Sequence, residues 1–325
     1  MTAPTIEARG EVWPLKEAFV ISRGAKTAAE VVVATVSDGN HQGRGEAVPY
    51  ARYGETVSGV LEDIRRVAGS VSDRTGLANE LKPGAALNAL DCAFWDLESK
   101  RTGVRVAELA GLGHPVAKTT AFTLSLDAPA TMAEKAKQVA HLSLLKLKLG
   151  GAGDDARMCA VREARPDARL LVDANEAWTL ETIGHLISIA AECSIELIEQ
   201  PLPAGQDEAL RGIDRRVPIC ADESVHTAAD IPRLAKLYDA VNVKLDKAGG
   251  LTGAIALVRE ARQRDLKIMV GSMVATSLAV APAMLLASEA DWIDLDGPLL
   301  LAHDREHGMR VENGVIYPPD PELWG

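Results

Sequence analysis

Six charged residues recur along this chain at nearly one interval, each closing a short apolar run. They are Lys148 in LLKLKL, Asp173 in LLVDAN, Glu199 in IELIEQ, Asp222 in PICADE, Lys244 in AVNVKL and Asp294 in WIDLDG. The steps are 25, 26, 23, 22 and 50 residues; the last spans two periods, with Ser272 of KIMVGSM inside it. A strand-plus-helix repeat has this period, and a parallel barrel does its chemistry at the C-terminal ends of its strands. Asp173, Glu199 and Asp222 then fall on three consecutive strands. Carboxylates so close stay ionised only if cations compensate them. A hard divalent cation suits all-oxygen ligands, and Mg2+ keeps positions open for water or substrate, so one Mg2+ per subunit is expected. The alternative is a structural ion network in which Lys146, Lys148 and Lys244 balance the three carboxylates; its charges also cancel.

Lys148 comes one strand before the trio and Lys244 one strand after it. Round a closed barrel the two lysines face the metal from opposite sides. Such a pair can remove a proton from one face of a ligand and return it to the other. Side chains two apart on a strand share a face, so Lys146 joins Lys148, Asn175 joins Asp173, and Asp296 joins Asp294. The charge of Lys146 is expected to lower the pKa of Lys148. Thr123 and Ser272, at the ends of strands one and seven, either line the pocket or cap their strands. Lys247 and Glu223 fall on other faces, which suits structural roles.

The elements that must hold these residues follow from the same pattern. TAFTLSL and KIMVGSM complete a set of eight strands with seven intervening helices over residues 119–297. PLLLAHDREHG leaves little room for an eighth helix. The prediction is an α/β chain with a modified TIM barrel, (β/α)7β. Residues 1–118 read differently. EVVVATV and RGEAV flank the turn-rich SDGNHQG as antiparallel strands. A helix is expected from about Thr56 to Val71, and another after Pro83-Gly84 with Leu87, Leu90, Phe94 and Leu97 on one face. That makes an α+β capping domain, and the turn-rich tail, 298–325, is expected to pack back on it.

Composition removes some classes of function. The 325 residues are 47% hydrophobic and 25% charged, with net charge −11. That argues against nucleic acid or an anionic membrane as partner. Cys92, Cys159, Cys193 and Cys220 are scattered, so reduced, buried thiols are expected rather than a zinc site or disulfide framework. The seven histidines form no ligand pattern. MTAPTIEARGE has no basic region followed by an apolar run, which points to the cytoplasm. Residues 268–288 carry no charge, but Gly271, Ser272, Thr276, Ser277 and Pro282 make them strand seven and a buried helix rather than a membrane span.

KLK, DAN, IEQPL, ADES and NVKLDKAGG, in this order and spacing, resemble the enolase superfamily and its muconate-lactonising subgroup. ALDCAFWDL and GEAVPYARYGET resemble that family's cap. The resemblance implies a lysine base with Mg2+ stabilising an ene-diolate. FVISRG and DLDG are similar to dipeptide epimerases acting on L-Ala-D/L-Glu. This implies catalysis by Lys148 and Lys244 beside Lys146, with Mg2+ on Asp173, Glu199 and Asp222. It implies that Asp294 and Asp296 hold the free ammonium of a dipeptide, that Arg23 on a mobile loop meets the glutamate side chain, and that the enzyme serves murein peptide recycling. A homo-oligomer is compatible with it. An epimerase of another dipeptide, an o-succinylbenzoate synthase or a cycloisomerase could use the same scaffold, although substrates of the last two bring no ammonium to DLDG. A Schiff-base aldolase and a non-catalytic binding barrel represent other classes.

Overall fold

The computed structural model describes residues 4–325. The first three residues of the expected cap, which also begin the segment read as lacking a leader, lie outside the described residues. The N-terminal region is built on an antiparallel sheet in the order β1-β2-β3, with β1 (Thr5–Ile21), β2 (Gly24–Ser37) and β3 (Gln42–Ala47). β2 and β3 are the two expected strands. β1 has no counterpart in the sequence reading. Its residues mix charge with apolar character, and it contains Pro14, which suits an edge strand. Its register with β2 shifts between Pro14 and Phe19 and resumes as far as Ile21 opposite Gly24. Ser22 and Arg23 are therefore the tip of a hairpin.

α1 (Val57–Val67) begins at Thr56, whose hydroxyl accepts from Gly59 N. α2 (Arg74–Glu80) leads to α3 (Ala85–Thr102). α3 lies against β3 at backbone contact. A Cβ on Gly43 would fall 2.0 Å from Ala93 O, and one on Gly45 2.1 Å from Ala89 O, so only glycine permits this approach. The expected single apolar face of α3 is half of what it buries. Leu90, Phe94 and Leu97 pack in the cap core, while Cys92 and Trp95 join the barrel core. The helix is sandwiched, so both sides exclude water.

After α4 (Val106–Leu109) and β4 (Lys118–Thr119), the chain alternates. β5 (Phe122–Leu124), α5 (Pro129–Gln138), β6 (Leu144–Lys148), α6 (Asp154–Ala164), β7 (Arg169–Asp173), α7 (Ile183–Glu192) and β8 (Ile195–Glu199) form the first half. β9 (Ile219–Ala221), α8 (Ile231–Leu234), β10 (Ala240–Val243), α9 (Leu245–Ala248), α10 (Leu251–Arg262), β11 (Lys267–Gly271), α11 (Ser277–Met284) and β12 (Trp292–Asp294) form the second. The eight strands run parallel in sequential order from β5 to β12. The ends meet where Ala121 N donates to Ile293 O at 2.8 Å. One expected helix is absent: β8 and β9 are joined by a loop with only a 3-10 turn at Asp207–Leu210. Pro201, Pro203, Gly205, Gly212 and Pro218 deny that segment a continuous helix. The uncharged stretch 268–288 divides between β11 and α11, and no helix among the described residues is long and apolar enough to cross a membrane.

Inside the barrel, Leu144, Leu171, Leu197, Cys220, Met269 and Trp292 make an apolar floor. Two residues further along each strand, the same face carries Lys146, Asp173, Glu199, Asp222, Gly271 and Asp294. The pleat thus converts a hydrophobic plug into a charged layer within one step. After β12 only α12 (Gly297–Leu300) remains of an eighth helix. β13 (Val311–Glu312) and β14 (Val315–Ile316) form a hairpin that pairs with β4. At the chain end, Trp324 Nε1 donates to Cys92 O at 3.1 Å and Gly325 N to Asp96 Oδ1 at 2.9 Å, both on α3.

Candidate active site

The charged layer opens into a cavity of about 300 Å³ between the barrel mouth and the cap. Lys146, Lys148, Asp222, Lys244, Asp294 and Asp296 line its barrel side; Phe19, Ile21, Arg23, Tyr50 and Tyr53 line its cap side. Asp173 and Glu199 sit just behind this wall. One carboxylate oxygen from each of Asp173, Glu199 and Asp222 lies within 4.8 Å of the others, and all three side chains are buried. Three converging, buried oxygen donors fit a hard divalent cation.

Lysines surround the trio. Lys148 Nζ, at the end of β6, is 2.5 Å from Asp173 Oδ2. Lys244 Nζ, just after β10, is 2.7 Å from Asp222 Oδ2. Since β7, β8 and β9 lie between β6 and β10, the two ammonium groups approach from opposite flanks. Lys146 is fully buried and reaches Glu199 Oε2 and Asp294 Oδ2, both at 2.6 Å, and Asp173 Oδ2 at 3.2 Å. It ties the carboxylate trio to β12.

These charges set the local ionisation. Burial pushes the Asp173 carboxyl up, but Lys148 and Lys146 outweigh it and hold the group below the usual carboxylate range. Burial likewise opposes ionisation of Asp222, and Lys244 and Lys247 prevail. Glu199 goes the other way, to about 7, through burial and the charge of Asp173. Burial would lower the Lys244 ammonium, yet Asp222 and Glu199 raise it well above its ordinary value.

The strand-eight aspartates stand at the far side of the cavity. Asp296 Oδ2 accepts from Thr123 N at 2.6 Å. Burial and the neighbouring Asp294 push the Asp296 carboxyl up to about 7. Asp294 commits Oδ2 to Lys146, while its Oδ1 is buried with no partner. Ser272 Oγ is buried and unpartnered too, and Ser272 N donates to Asp294 O at 3.1 Å. An unpaired carboxylate oxygen and an unpaired hydroxyl are thus left at this side of the cavity, each able to accept a hydrogen bond from a ligand.

Arg23, at the hairpin tip, is more heavily engaged than its sequence context suggests. Nη2 donates to Glu223 Oε1 at 2.7 Å and to Tyr50 OH at 3.3 Å; Nη1 donates to Asn175 O at 3.1 Å and Glu176 Oε2 at 3.2 Å. Two residues assigned to other faces therefore belong to this site. β9 ends at Ala221, so strand alternation no longer governs Glu223, and its side chain turns into the cavity. Lys247 stands on α9, one helical turn beyond Lys244, and its ammonium bonds both Asp222 O and the Asp222 carboxylate. The change from a period of two to 3.6 between β10 and α9 places it there.

Asn242 is a further residue in the layer. It shares the inward face with Lys244, and its Nδ2 donates to Glu199 Oε1 at 2.7 Å. The period-two pattern that found Lys146 would also have found it. Gly271 makes room for it, since a Cβ there would lie 2.6 Å from Asn242 Oδ1.

Residues 4–111 match the family described as mandelate racemase / muconate lactonizing enzyme, N-terminal domain, and residues 131–322 match enolase C-terminal domain-like. An L-Ala-D/L-Glu epimerase from Escherichia coli is 41% identical, over 96% of this chain and 99% of its own length. An N-acetyl-D-glutamate racemase from Pseudoalteromonas is 42% identical over 91% and 95%. Among solved structures, an enolase family member from Agrobacterium tumefaciens with homology to dipeptide epimerases, holding bound sodium and L-Ala-L-Glu with an ordered loop, is 49% identical. Its TM-score is 0.96, with 99% of this chain and 100% of that one covered. A dipeptide epimerase from Enterococcus faecalis complexed with Mg and L-Leu-L-Tyr is 28% identical, with TM-score 0.90 and 98% of each chain covered.

Proposed function

Since this chain belongs to the enolase superfamily, with both the cap and the barrel of its mandelate racemase / muconate lactonizing branch, we propose that it is a dipeptide epimerase acting on L-Ala-D/L-Glu. The observation that carries this reading is the pair Lys148 and Lys244 flanking one buried carboxylate trio. One lysine removes the α-proton of the C-terminal residue, and the other returns a proton to the opposite face. The roles exchange with the configuration of the substrate. Asp173, Glu199 and Asp222 would hold a divalent cation; the Enterococcus relative is complexed with Mg, and an ion bound here would supply positive charge to the substrate carboxylate as the α-proton leaves. Lys146, with Lys148, favours the ionised form of Asp173, opposes the upward push on Glu199, and joins both to Asp294.

The substrate's ends are distinguished by charge. Asp294 and Asp296 receive the free ammonium, with Ser272 and Thr123 beside them. Arg23 meets the glutamate side chain. The Pseudoalteromonas relative raises N-acetylglutamate as a competing substrate. An N-acyl group brings no cation to Asp294, and its buried Oδ1 would stay unpaired, so a free amino terminus is favoured. Such an enzyme recycles murein peptides in the cytoplasm.

The test is α-proton exchange in D2O with each epimer of L-Ala-Glu. Lys148→Ala and Lys244→Ala should each abolish interconversion, while each still exchanges the proton of one epimer. Rapid interconversion by either variant would falsify the two-base scheme.

A further inference from the structure

Two cap segments that are distant in sequence meet on one barrel carboxylate. Glu176 Oε2 accepts from Arg23 Nη1 at 3.2 Å and from Arg52 Nε at 3.0 Å, and Oε1 accepts from Arg52 Nη2 at 2.9 Å. Arg23 is the tip of the β1–β2 hairpin, and Arg52 lies in the 3-10 turn between β3 and α1. Ser22 Oγ adds a bond to Asn175 O at 3.1 Å. Both segments line the cavity, so where Glu176 holds them, the mouth is covered.

The barrel side of this contact is rigid and strained. Asn175 and Glu176 have φ of 44° and 67°, consecutive left-handed residues without a glycine. That conformation costs energy and persists only where its surroundings fix it. They do so here: Glu176 N donates to Gln200 O at 2.9 Å, Trp178 N to Pro201 O at 2.9 Å, and Ala204 N to Glu176 Oε1 at 2.8 Å. The turn presents Asn175 O and the Glu176 carboxylate together toward the cap. It starts two residues after Asp173, so the same short segment ends in a carboxylate of the trio at one side and the cap contact at the other.

We propose that Glu176 is a positioning residue, the catch that holds the hairpin tip and the Arg52 turn closed over the cavity and so sets Arg23 for the substrate side chain. Its kinetic part rests on the epimerase reading; its structural part does not. Glu176→Gln keeps the size and the acceptor for Ala204 N but removes the charge that both arginines share; Arg23 retains its 2.7 Å bond to Glu223, so the hairpin tip is loosened rather than freed. Arg52→Ala releases only one segment. Hydrogen–deuterium exchange on the full-length protein, with no dipeptide added, should show ~3- to 10-fold faster exchange in Glu176→Gln at residues 20–26 and 50–54, the range of a partly exposed ion pair. Arg52→Ala should show it at 50–54 alone. In turnover, Glu176→Gln should raise KM for L-Ala-L-Glu by a similar factor with kcat within about twofold, because the lysines and carboxylates are untouched. Unchanged exchange in both segments, or loosening spread through the barrel with a lower Tm, overturns the catch. If the wild type turns over no dipeptide, the epimerase reading falls while the exchange experiment still decides the contact.

Discussion

Removing Arg23 tests how the cavity reads a substrate. Arg23 is 28% exposed and its partner Glu223 is 1% exposed, so Arg23→Ala has two effects. It deletes a cation able to receive a side-chain carboxylate, a charged hydrogen bond worth about 1.5–3 kcal/mol. It also leaves Glu223 buried without its main partner, where burial and the nearby Asp222 already push that carboxyl up. A negative Glu223 would then repel an acidic substrate. For L-Ala-L-Glu the expected loss in kcat/KM is about 10- to 100-fold, since each 1.36 kcal/mol is tenfold. For L-Ala-L-Leu, which brings no second carboxylate, the loss should be no more than a few-fold. Arg23→Ala combined with Glu223→Gln removes the repulsion and should recover part of the loss on L-Ala-L-Glu. The assay is kcat/KM for both dipeptides in the wild type and the two variants. An unchanged ratio of the two substrates in Arg23→Ala would refute the assignment of Arg23 to the glutamate side chain, whatever the absolute rates.

The remaining expectations concern metal, docking and pH. Asp222→Asn should weaken divalent-cation binding by at least an order of magnitude in calorimetry on the metal-stripped protein, and full turnover after exhaustive chelation would count against the metal assignment. Asp294→Asn should depress kcat/KM on every dipeptide alike, because the ammonium is common to all; selective loss on one dipeptide would contradict the ammonium site. Gly43→Ala drives a Cβ to within 2.0 Å of Ala93 O, so it should lower Tm by several degrees or prevent folding, and a wild-type melt would mean that α3 does not touch β3. Asp246 is buried between α9 and the cap, where Oδ1 accepts from Val48 N at 2.9 Å and Asn88 Nδ2 at 2.8 Å, and burial pushes its carboxyl up to about 7. Its folded pKa lies above the unfolded one, so the unfolded chain releases its proton first as pH rises. The contribution of Asp246 to stability should fall between about pH 4 and 7 and then level off, by up to about 4 kcal/mol. Melts of the wild type and Asp246→Asn across that window should diverge with rising pH, and parallel curves would rule out this group as the source.

The charged interior could be read in the sequence because a strand has a fixed period of two. Once each apolar run ends at the barrel mouth, Lys146, Lys148, Asp173, Glu199, Asp222, Lys244 and Asp294 are committed to the inner face, above a floor set two or four residues earlier on the same strand. The repeat interval likewise set the strand order, since a parallel strand–helix chain closes in sequence. Where the backbone leaves the strand, that logic ends. Glu223 and Lys247 are displaced from their expected faces because β9 has stopped and α9 has begun. The missing helix between β8 and β9 was written in prolines and glycines, but the eight-strand repeat obscured it. Other features depended on contacts between distant segments. β1 is a strand because β2 pairs with it, and only that pairing brings Arg23 from the N-terminus to Asn175, Glu176 and Glu223. α3 hides both faces because two cores press on it. Local periodicity specifies which way a side chain points; which distant group it meets is decided by packing, through distances that no window of sequence contains.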